Sequence, residues 1–256
     1  MAQTSPSASR PPVTWAVIPA FNERATLRGV VSAVLPHVNG VVVVDDGSND
    51  GSAESLADLP VTVLRNSVNL GKAPSLWRGL KAARAAGADA VVTLDADGQH
   101  PEDEIPRLLA VYREAPSMLV VGARTDKRQS APLYRRLSND LADFWISWAA
   151  GRPLIDTQSG FRVYPGALVD IMPERLGRAR AFVFESQILI EAAQLGFASA
   201  FVRIPTIYPE GLRPSRYRPV RDGLLIVAMV AGKLLRRGLY PAGLYRALRL
   251  PRPRVY

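Results

Sequence analysis

The sequence predicts an α/β fold in which a mostly parallel twisted sheet is flanked by helices. Short runs of apolar, largely β-branched residues alternate with helix-like segments through the first half of the chain. These runs are apolar on both faces, as strands of a parallel sheet covered on both sides must be. Polar motifs also follow the ends of three of the runs. Strands are expected at residues 14–18, 41–44, 61–64, 90–94 and 118–121, and helices at 23–35, 52–59, 74–86 and 102–114. Residues 41–44 are four consecutive valines, whose branched Cβ favours extended backbone. Pro74 suits the first turn of its helix, where the missing N–H would have had no intrahelical partner. Pro101 precedes the 102–114 helix, and no internal repeat interrupts the series.

Composition narrows the chemistry. The 256 residues suffice for one large domain with a substantial core. Cysteine is absent, which excludes disulfides, thiolate nucleophiles and cysteine-based zinc sites. The two histidines, His37 and His100, are too few for a His-rich metal site and argue against a Ser-His-Asp triad; His37 reads as a surface residue at a helix end. Residues 1–12, rich in Ser, Pro and Ala, lack the apolar core of a signal peptide and read as a disordered tail ahead of a catalytic domain at 13–218. The longest apolar stretch near the C-terminus, residues 223–232, is half of the roughly 20 residues a membrane span requires. The expectation is a cytoplasmic chain that does not cross the membrane.

Net charge is +9, and it is unevenly placed. Residues 203–256 hold 12 basic and 2 acidic residues, so the rest of the chain is close to neutral. Such a patch implies an anionic partner: a membrane surface, a lipid phosphate or nucleic acid. Within 219–256, Leu224, Val227, Ala231, Leu234, Leu235 and Leu239 interleave with Lys233, Arg236 and Arg237. That is the pattern of a basic amphipathic helix lying on an anionic membrane interface, at the inner face of the cell membrane; the same helix could instead pair with another chain. A nucleic-acid-binding role predicts steeply salt-dependent binding and leaves the strand-end motifs unexplained, so nucleic acid is not the expected partner.

Ligands of open parallel sheets bind at the carboxyl ends of the strands, where the three motifs fall: Pro19-Ala20-Phe21-Asn22-Glu23, Asp45-Asp46-Gly47-Ser48, and Asp95-Ala96-Asp97. In extended backbone alternate side chains point the same way, so Asp95 and Asp97 can face one point. Two carboxylates there suit a hard cation, Mg2+ or Mn2+, completed by water and a diphosphate, with Gln99 adding a neutral oxygen. No GxxxxGK or GxGxxG is present, and Gly71-Lys72 lacks the upstream glycine of a phosphate loop.

With these motifs in order, the sequence resembles family 2 glycosyltransferases of the GT-A nucleotide-sugar fold. The matching pieces are VIPAFNE (17–23), VVDDGSNDGS (43–52), NLGKA (69–73), LDADGQH (94–100), GAR (122–124) and DTQSGFRVYP (156–165). Within that family it is most similar to polyprenyl-phosphate sugar synthases of the dolichol-phosphate mannose synthase type. The resemblance implies that Pro19, Ala20, Asn22 and Glu23 line the nucleotide pocket, Glu23 at the ribose, and that Asp46 accepts from the base. It places Asp95 near ribose and metal, Asp97 and Gln99 on the metal, and Lys72 among the donor-binding groups. Arg124 would face the diphosphate or the acceptor phosphate, Arg136 and Ser138 would hold the acceptor phosphate, and Arg213 and Ser215 would sit on a loop closing near the donor phosphates. In one departure from the family pattern, Ala73-Pro74 follows Gly71-Lys72 where a second glycine is usual.

The implied activity is an inverting transfer of a hexose from a GDP- or UDP-linked sugar to a polyprenyl phosphate. The departing nucleoside diphosphate needs its charge neutralised, by a metal on Asp97 and by arginines. A hydroxyl acceptor needs a base, whereas a lipid phosphate is already anionic. Many arginines and no well-suited histidine favour the phosphate. Asp156 is the candidate base should the acceptor be a hydroxyl of a glycolipid or polysaccharide; otherwise it orients its loop. A nucleotide-sugar pyrophosphorylase would need a glycine-rich first loop, absent between Ile18 and Ala25. Trp145 and Trp148 either pack inward or line a lipid path, Glu185 is a first-turn helix acid, and His100 lies near the diphosphate or simply ends its loop.

Overall fold

The first strand, β1 (Thr14–Ala20), runs beneath two neighbours that arrive from opposite directions in sequence. In this computed structural model, which describes residues 10–124, 133–178, 183–205 and 219–256, β1 pairs in parallel with β2 (Gly40–Asp45) on one side and with β4 (Ala90–Thr93) on the other. Outward from β2 lies β3 (Thr62–Arg65); outward from β4 lie β6 (Arg162–Pro165), β5 (Leu119–Ala123) and β7 (Ser199–Arg203). The seven-stranded order is β3-β2-β1-β4-β6-β5-β7, and β6 runs antiparallel to both of its neighbours. The order reverses between β1 and β4, which is the crevice where open α/β sheets bind ligands.

Period-2 alternation divides the strand residues between two cores. Val17, Val42, Val44, Val91 and Tyr164 face α2 (Lys72–Ala85), α4 (Leu133–Ala150) and α6 (Val183–Gln194). Ile18, Val41, Val43, Val92 and Val163 face α1 (Leu27–Val34) and α3 (Ile105–Glu114). A short helix, α5 (Gly166–Ile171), follows β6. Every residue of β4, β5 and β6 is buried, and each large apolar side chain so placed contributes roughly 1.5–3 kcal/mol.

The expected strands are found, with bounds shifted by at most two residues. The helices are trimmed more. Residues 23–26 turn instead of opening α1, because Asn22 is left-handed at φ 54° and Glu23 O accepts from both Thr26 and Leu27 N–H. The expected 52–59 helix shrinks to a 3-10 turn at Glu54–Leu56.

The C-terminal segment is two helices rather than one, α7 (Pro219–Arg236) and α8 (Pro241–Arg249). Gly238, Leu239 and Tyr240 all have positive φ ahead of Pro241, which stops the first helix. Nor is the segment merely appended: Ile226, Val230 and Leu234 of α7 are buried in the same core as Val17, and Lys233 pairs with the buried Glu191 of α6. The apolar face expected from the sequence is thus split. Leu234 packs inward, while Leu224, Val227, Leu235 and Leu239 remain on the surface. Further on, Val255 bridges to Phe201, and Tyr256 O accepts from Arg203 N–H, covering the open edge of β7. Among the described residues no helix is long and apolar enough to cross a membrane.

Helix α2 lies so close to the sheet that a Cβ at Gly79 would run into Val17 and meet Val44 at 3.0 Å. Gly79→Val is expected to cost about 1–3 kcal/mol of stability by overpacking, read from urea unfolding; an unchanged midpoint would show that this contact has room to spare.

Candidate active site

Three strand ends and one loop build the donor side. After β1, Asn22 N–H donates to Ser48 Oγ (2.9 Å), Glu23 N–H donates to Ser52 Oγ (2.9 Å), and Asn22 Oδ1 accepts from Asn49 N–H (3.0 Å). The segment carrying Pro19, Ala20, Asn22 and Glu23 is thereby tied to the 45–52 turn. Asp46, expected to accept from a nucleotide base, accepts three hydrogen bonds from its own chain. Its Oδ1 accepts from Asn66 Nδ2 (2.8 Å) and Leu70 N–H (2.9 Å), and its Oδ2 from Gly71 N–H (2.8 Å). The geometry makes Asp46 the anchor of the 66–71 loop, which delivers Lys72 to the centre of the site. Beside it a cavity of about 340 Å3 is lined by Gly47, Ser48, Arg65, Asn66 and Ser67.

At the centre the Lys72 ammonium bridges Asp95 Oδ1 (2.7 Å) and Glu185 Oε1 (2.8 Å). Burial opposes the ammonium's charge, but the two carboxylates outweigh it and hold Lys72 above its usual range. Asp95 is the mirror case: burial would raise it, yet Lys72 first and then His100, whose Nε2 lies 3.4 Å from Asp95 Oδ2, hold it well below the carboxylate range. Asp97 goes the other way, pushed up by burial and by the neighbouring charge of Asp95.

Strand alternation does not bring these two carboxylates together. β4 ends at Thr93, and a turn follows in which Gly98 has φ 70° and Gln99 N–H donates to Asp97 Oδ1 (3.0 Å). Of the two causes that raise Asp97, burial is the larger; the smaller, the charge of Asp95, is the one a divalent cation would offset. Asp95, Asp97 and Gln99 carry the oxygen donors that a hard cation takes, but among the described residues no three acidic or histidine side chains converge as a metal site.

Across the site Arg124, just past β5, is fixed by Asp156. The Arg124 N–H (2.8 Å) and Nε (3.1 Å) donate to Oδ2, and a terminal guanidinium nitrogen donates to Oδ1 (3.0 Å). Burial would raise Asp156, but Arg124 outweighs it and holds the carboxyl below its ordinary value. Both oxygens are occupied and the group resists protonation, so the geometry favours orienting Arg124 over acting as a base. Asp156 itself is left-handed at φ 43°. Asp143 of α4 holds the loop in that shape, accepting from Asp156 N–H (3.2 Å), Thr157 N–H (3.1 Å) and Thr157 Oγ1 (2.8 Å).

Each residue of the Ser-Gly-Phe-Arg segment has a separate structural task. Ser159 Oγ donates to Gly122 O (2.6 Å). Gly160 lies where a Cβ would stand 3.3 Å from both Lys72 Nζ and Asp95 Oδ2. Phe161 packs on the His100 ring at 5.4 Å between centroids. Arg162 is fully buried and donates to Glu185 O (2.7 Å) and Thr157 O (3.0 Å).

Arg136 and Ser138 fall in the first turns of α4, and their side chains lie outside the described residues. Arg213 and Ser215 lie outside them altogether. Trp148 is fixed by donating to Tyr240 O (3.1 Å) and stacks on Trp145, with ring centroids 5.1 Å apart.

Comparison with known proteins is consistent with this geometry. The model of "Glycosyl transferase family 2" matches residues 15–182. The chain belongs to that family. It is 29% identical over 217 residues to the UDP-N-acetylglucosamine–dolichyl-phosphate N-acetylglucosaminyltransferase of Methanococcus voltae, covering 77% of this chain and 86% of that protein. It is 33% identical to the undecaprenyl-phosphate 4-deoxy-4-formamido-L-arabinose transferase of Aeromonas hydrophila subsp. hydrophila, over 61% of this chain but only 50% of the relative's length. Among solved structures, glucosyl-3-phosphoglycerate synthase from Mycobacterium tuberculosis with Mn2+, UDP and phosphoglyceric acid is similar at TM-score 0.64 and 25% identity, over 90% of this chain and 80% of that one. The same enzyme with Mg2+ and UDP gives TM-score 0.62 and 25% identity, over 88% and 79% of the respective chains. These likenesses establish the GT-A glycosyltransferase fold.

Three residues of this family 2 site escape sequence reasoning in their present roles: Asp143, Glu185 as a partner of Lys72, and the buried Arg162. Asp143 should be sensitive to the smallest change. Both of its oxygens accept, and asparagine supplies only one acceptor, so Asp143→Asn should lose about 1–3 kcal/mol in chemical unfolding. The depressed Asp156 contributes stability that is fully present above its unfolded value near 3.9 and is lost as pH falls through its folded value. Asp156→Asn should therefore flatten the acid limb of a stability–pH curve; an unchanged limb would contradict the Arg124 pairing.

Proposed function

We propose that the chain transfers a hexose, with inversion, from a nucleotide sugar to a polyprenyl phosphate at the inner face of the cell membrane. The observation that carries the reading is the Arg124–Asp156 pair. A guanidinium held rigidly beside the catalytic centre suits an acceptor that is already anionic, and the carboxylate that would serve a hydroxyl acceptor as base is committed elsewhere. Relatives named for dolichyl and undecaprenyl phosphate support the same acceptor class.

In this reading the nucleoside lies along the 45–52 turn and the cavity at Gly47, Ser48 and Asn66. Asp95, Asp97 and Gln99 would hold Mg2+ or Mn2+, which supplies charge neutralisation for the diphosphate leaving group when bound. Lys72 restrains Asp95 and adds positive charge on the donor side. Arg124 orients the acceptor phosphate for attack opposite the leaving group, and no proton has to be removed from the attacking oxygen. Gly160 keeps the space above Lys72 and Asp95 open for the reacting groups.

The direct test is release of nucleoside diphosphate and transfer of label into an organic phase. The assay uses GDP-mannose, UDP-glucose and UDP-N-acetylglucosamine, each with undecaprenyl phosphate and Mg2+ or Mn2+. Metal-dependent lipid labelling with one donor is expected and names the sugar. Donor binding without lipid labelling would turn the acceptor into a hydroxyl compound. Asp97→Asn should abolish transfer, and chelation should do the same to the wild type. Asp156→Asn should retain part of its turnover, with a loss below about 100-fold, since a missing general base costs up to about 10,000-fold; a loss at that upper end would restore Asp156 as the base.

A further inference from the structure

A second cationic cavity, of about 480 Å3, lies where the C-terminal ends of α4 and α6 meet the α7–α8 turn. It is lined by Arg152, Arg237 and Arg246 together with Gln194 and Tyr240, and no carboxylate lines it. It is not part of the donor site. α6 begins at the Lys72–Glu185 pair and reaches the cavity nine residues later at Gln194, a rise of about 13 Å.

The three guanidinium groups are placed but not neutralised. Arg152 donates to Phe197 O (3.3 Å). Arg237 lies 3.6 Å over the Tyr240 ring, whose backbone is held by Trp148. None of the three makes an ion pair with a described residue, whereas Lys233, one turn before Arg237, is paired with Glu191. Like charges converging on one cavity repel, and the forked donors of arginine match the oxygens of a phosphate.

The neighbouring surface says where that phosphate comes from. Along α7 runs an apolar stripe left on the outside, with Leu224 64% exposed, Val227 59% and Leu235 68%. Leu239, 54% exposed, continues it to the mouth of the turn. Ala228 and Ala231 fill the stripe without a charge. A cationic cavity with room for a whole headgroup, at the end of an exposed apolar helix face, matches an anionic phospholipid, its headgroup in the cavity and its acyl chains along the helix.

We propose that Arg152, Arg237 and Arg246 form a headgroup site for an anionic phospholipid, separate from the catalytic centre, that seats the enzyme on the membrane; the inference rests on the membrane-surface reading above. The test is co-sedimentation with vesicles of phosphatidylcholine alone and with 30% phosphatidylglycerol, using the wild type and two charge-matched double variants. One is Arg237→Gln/Arg246→Gln; the other is Arg249→Gln/Arg252→Gln, which removes the same charge from exposed positions outside the cavity. A melting curve on each checks that the fold is kept.

Wild-type binding should require phosphatidylglycerol, and the cavity variant should bind it about 30-fold more weakly, taking a basic residue near an anionic surface as worth about a factor of 5 and two of them as its square. The control pair should lose much less. Equal losses for the two pairs would overturn the site and leave only diffuse attraction. Wild-type binding to inorganic phosphate but not to vesicles, lost in the cavity variant, would overturn the lipid source.

Transfer to a short-chain, water-soluble polyprenyl phosphate, assayed without vesicles, separates the two readings. The cavity variant should keep that activity. Cavity-dependent vesicle binding without any transfer would sink the proposed reaction and leave the headgroup site standing.

Discussion

One half-buried cation ties the centre of the site together. Lys72 touches Asp95 at the end of β4 and Glu185 at the start of α6, so a single ammonium joins three elements that are remote in sequence. Removing such charges from water is expensive unless each finds its partner. That requirement explains the surroundings. Gly71, at φ 98°, lets the chain turn sharply into α2, and Asp46 spends its whole carboxylate on the loop that makes the turn. Gly160 leaves the pair uncrowded, and Arg162 fixes the backbone of Glu185 from below. Asp46, just past the end of β2, reads in the sequence as a ligand-binding group, and in the fold it also helps to place a cation one loop further on.

The antiparallel strand has a comparable logic. The C-terminal ends of β1, β2, β4 and β5 all open on one edge of the sheet. A strand running the other way presents its N-terminal end at that same edge, so the loop preceding β6 arrives among the strand ends. This puts Asp156, Ser159 and Gly160 beside Arg124, Gly122 and Asp95. Hydrogen bonds from Ser159 to Gly122 O and from Thr93 Oγ1 to Gly160 O (2.7 Å) lock the loop across two strands. The strained backbone of Asp156 is then held from three sides, by Arg124, by Asp143 and by the strand that follows. Strain of this kind persists where the surroundings over-determine it.

Much of this fold is legible in the sequence because its strands are buried on both faces. Continuous runs such as the four valines of β2 leave no other reading, and the positions of the polar motifs follow from them. What is not legible depends on partners far along the chain. Asp143 sits mid-helix among Leu141, Phe144 and Trp145, where nothing local distinguishes a buried loop anchor from a surface acid. Asp46 and Asp45 are adjacent and chemically equivalent; only the folded loop gives one Leu70 and Gly71 and the other Arg65. The Asp95–Asp97 pair is a subtler case. They lie in a turn through Gly98, and the spacing rule that singles them out applies to strand backbone, which has already ended at Thr93. The break between α7 and α8 is signalled by Gly238 and Pro241, yet the helical periodicity on either side masks it.

The electrostatic plan argues for the division of labour that the sequence's charge asymmetry hints at. At the donor end three carboxylates, Asp95, Asp97 and Glu185, face one ammonium, so this part of the site is negative as it stands. Burial first, and then the neighbouring charge of Asp95, push Asp97 up, and added positive charge would offset the second of these. A divalent cation held by Asp95, Asp97 and Gln99 would supply positive charge there, in the reading proposed above. Arg124, by contrast, is balanced by Asp156, which fixes its position within the fold. Arg237 and Arg246 of the C-terminal helices, which make no ion pair among the described residues, line a different cavity and are placed to answer to a third anion.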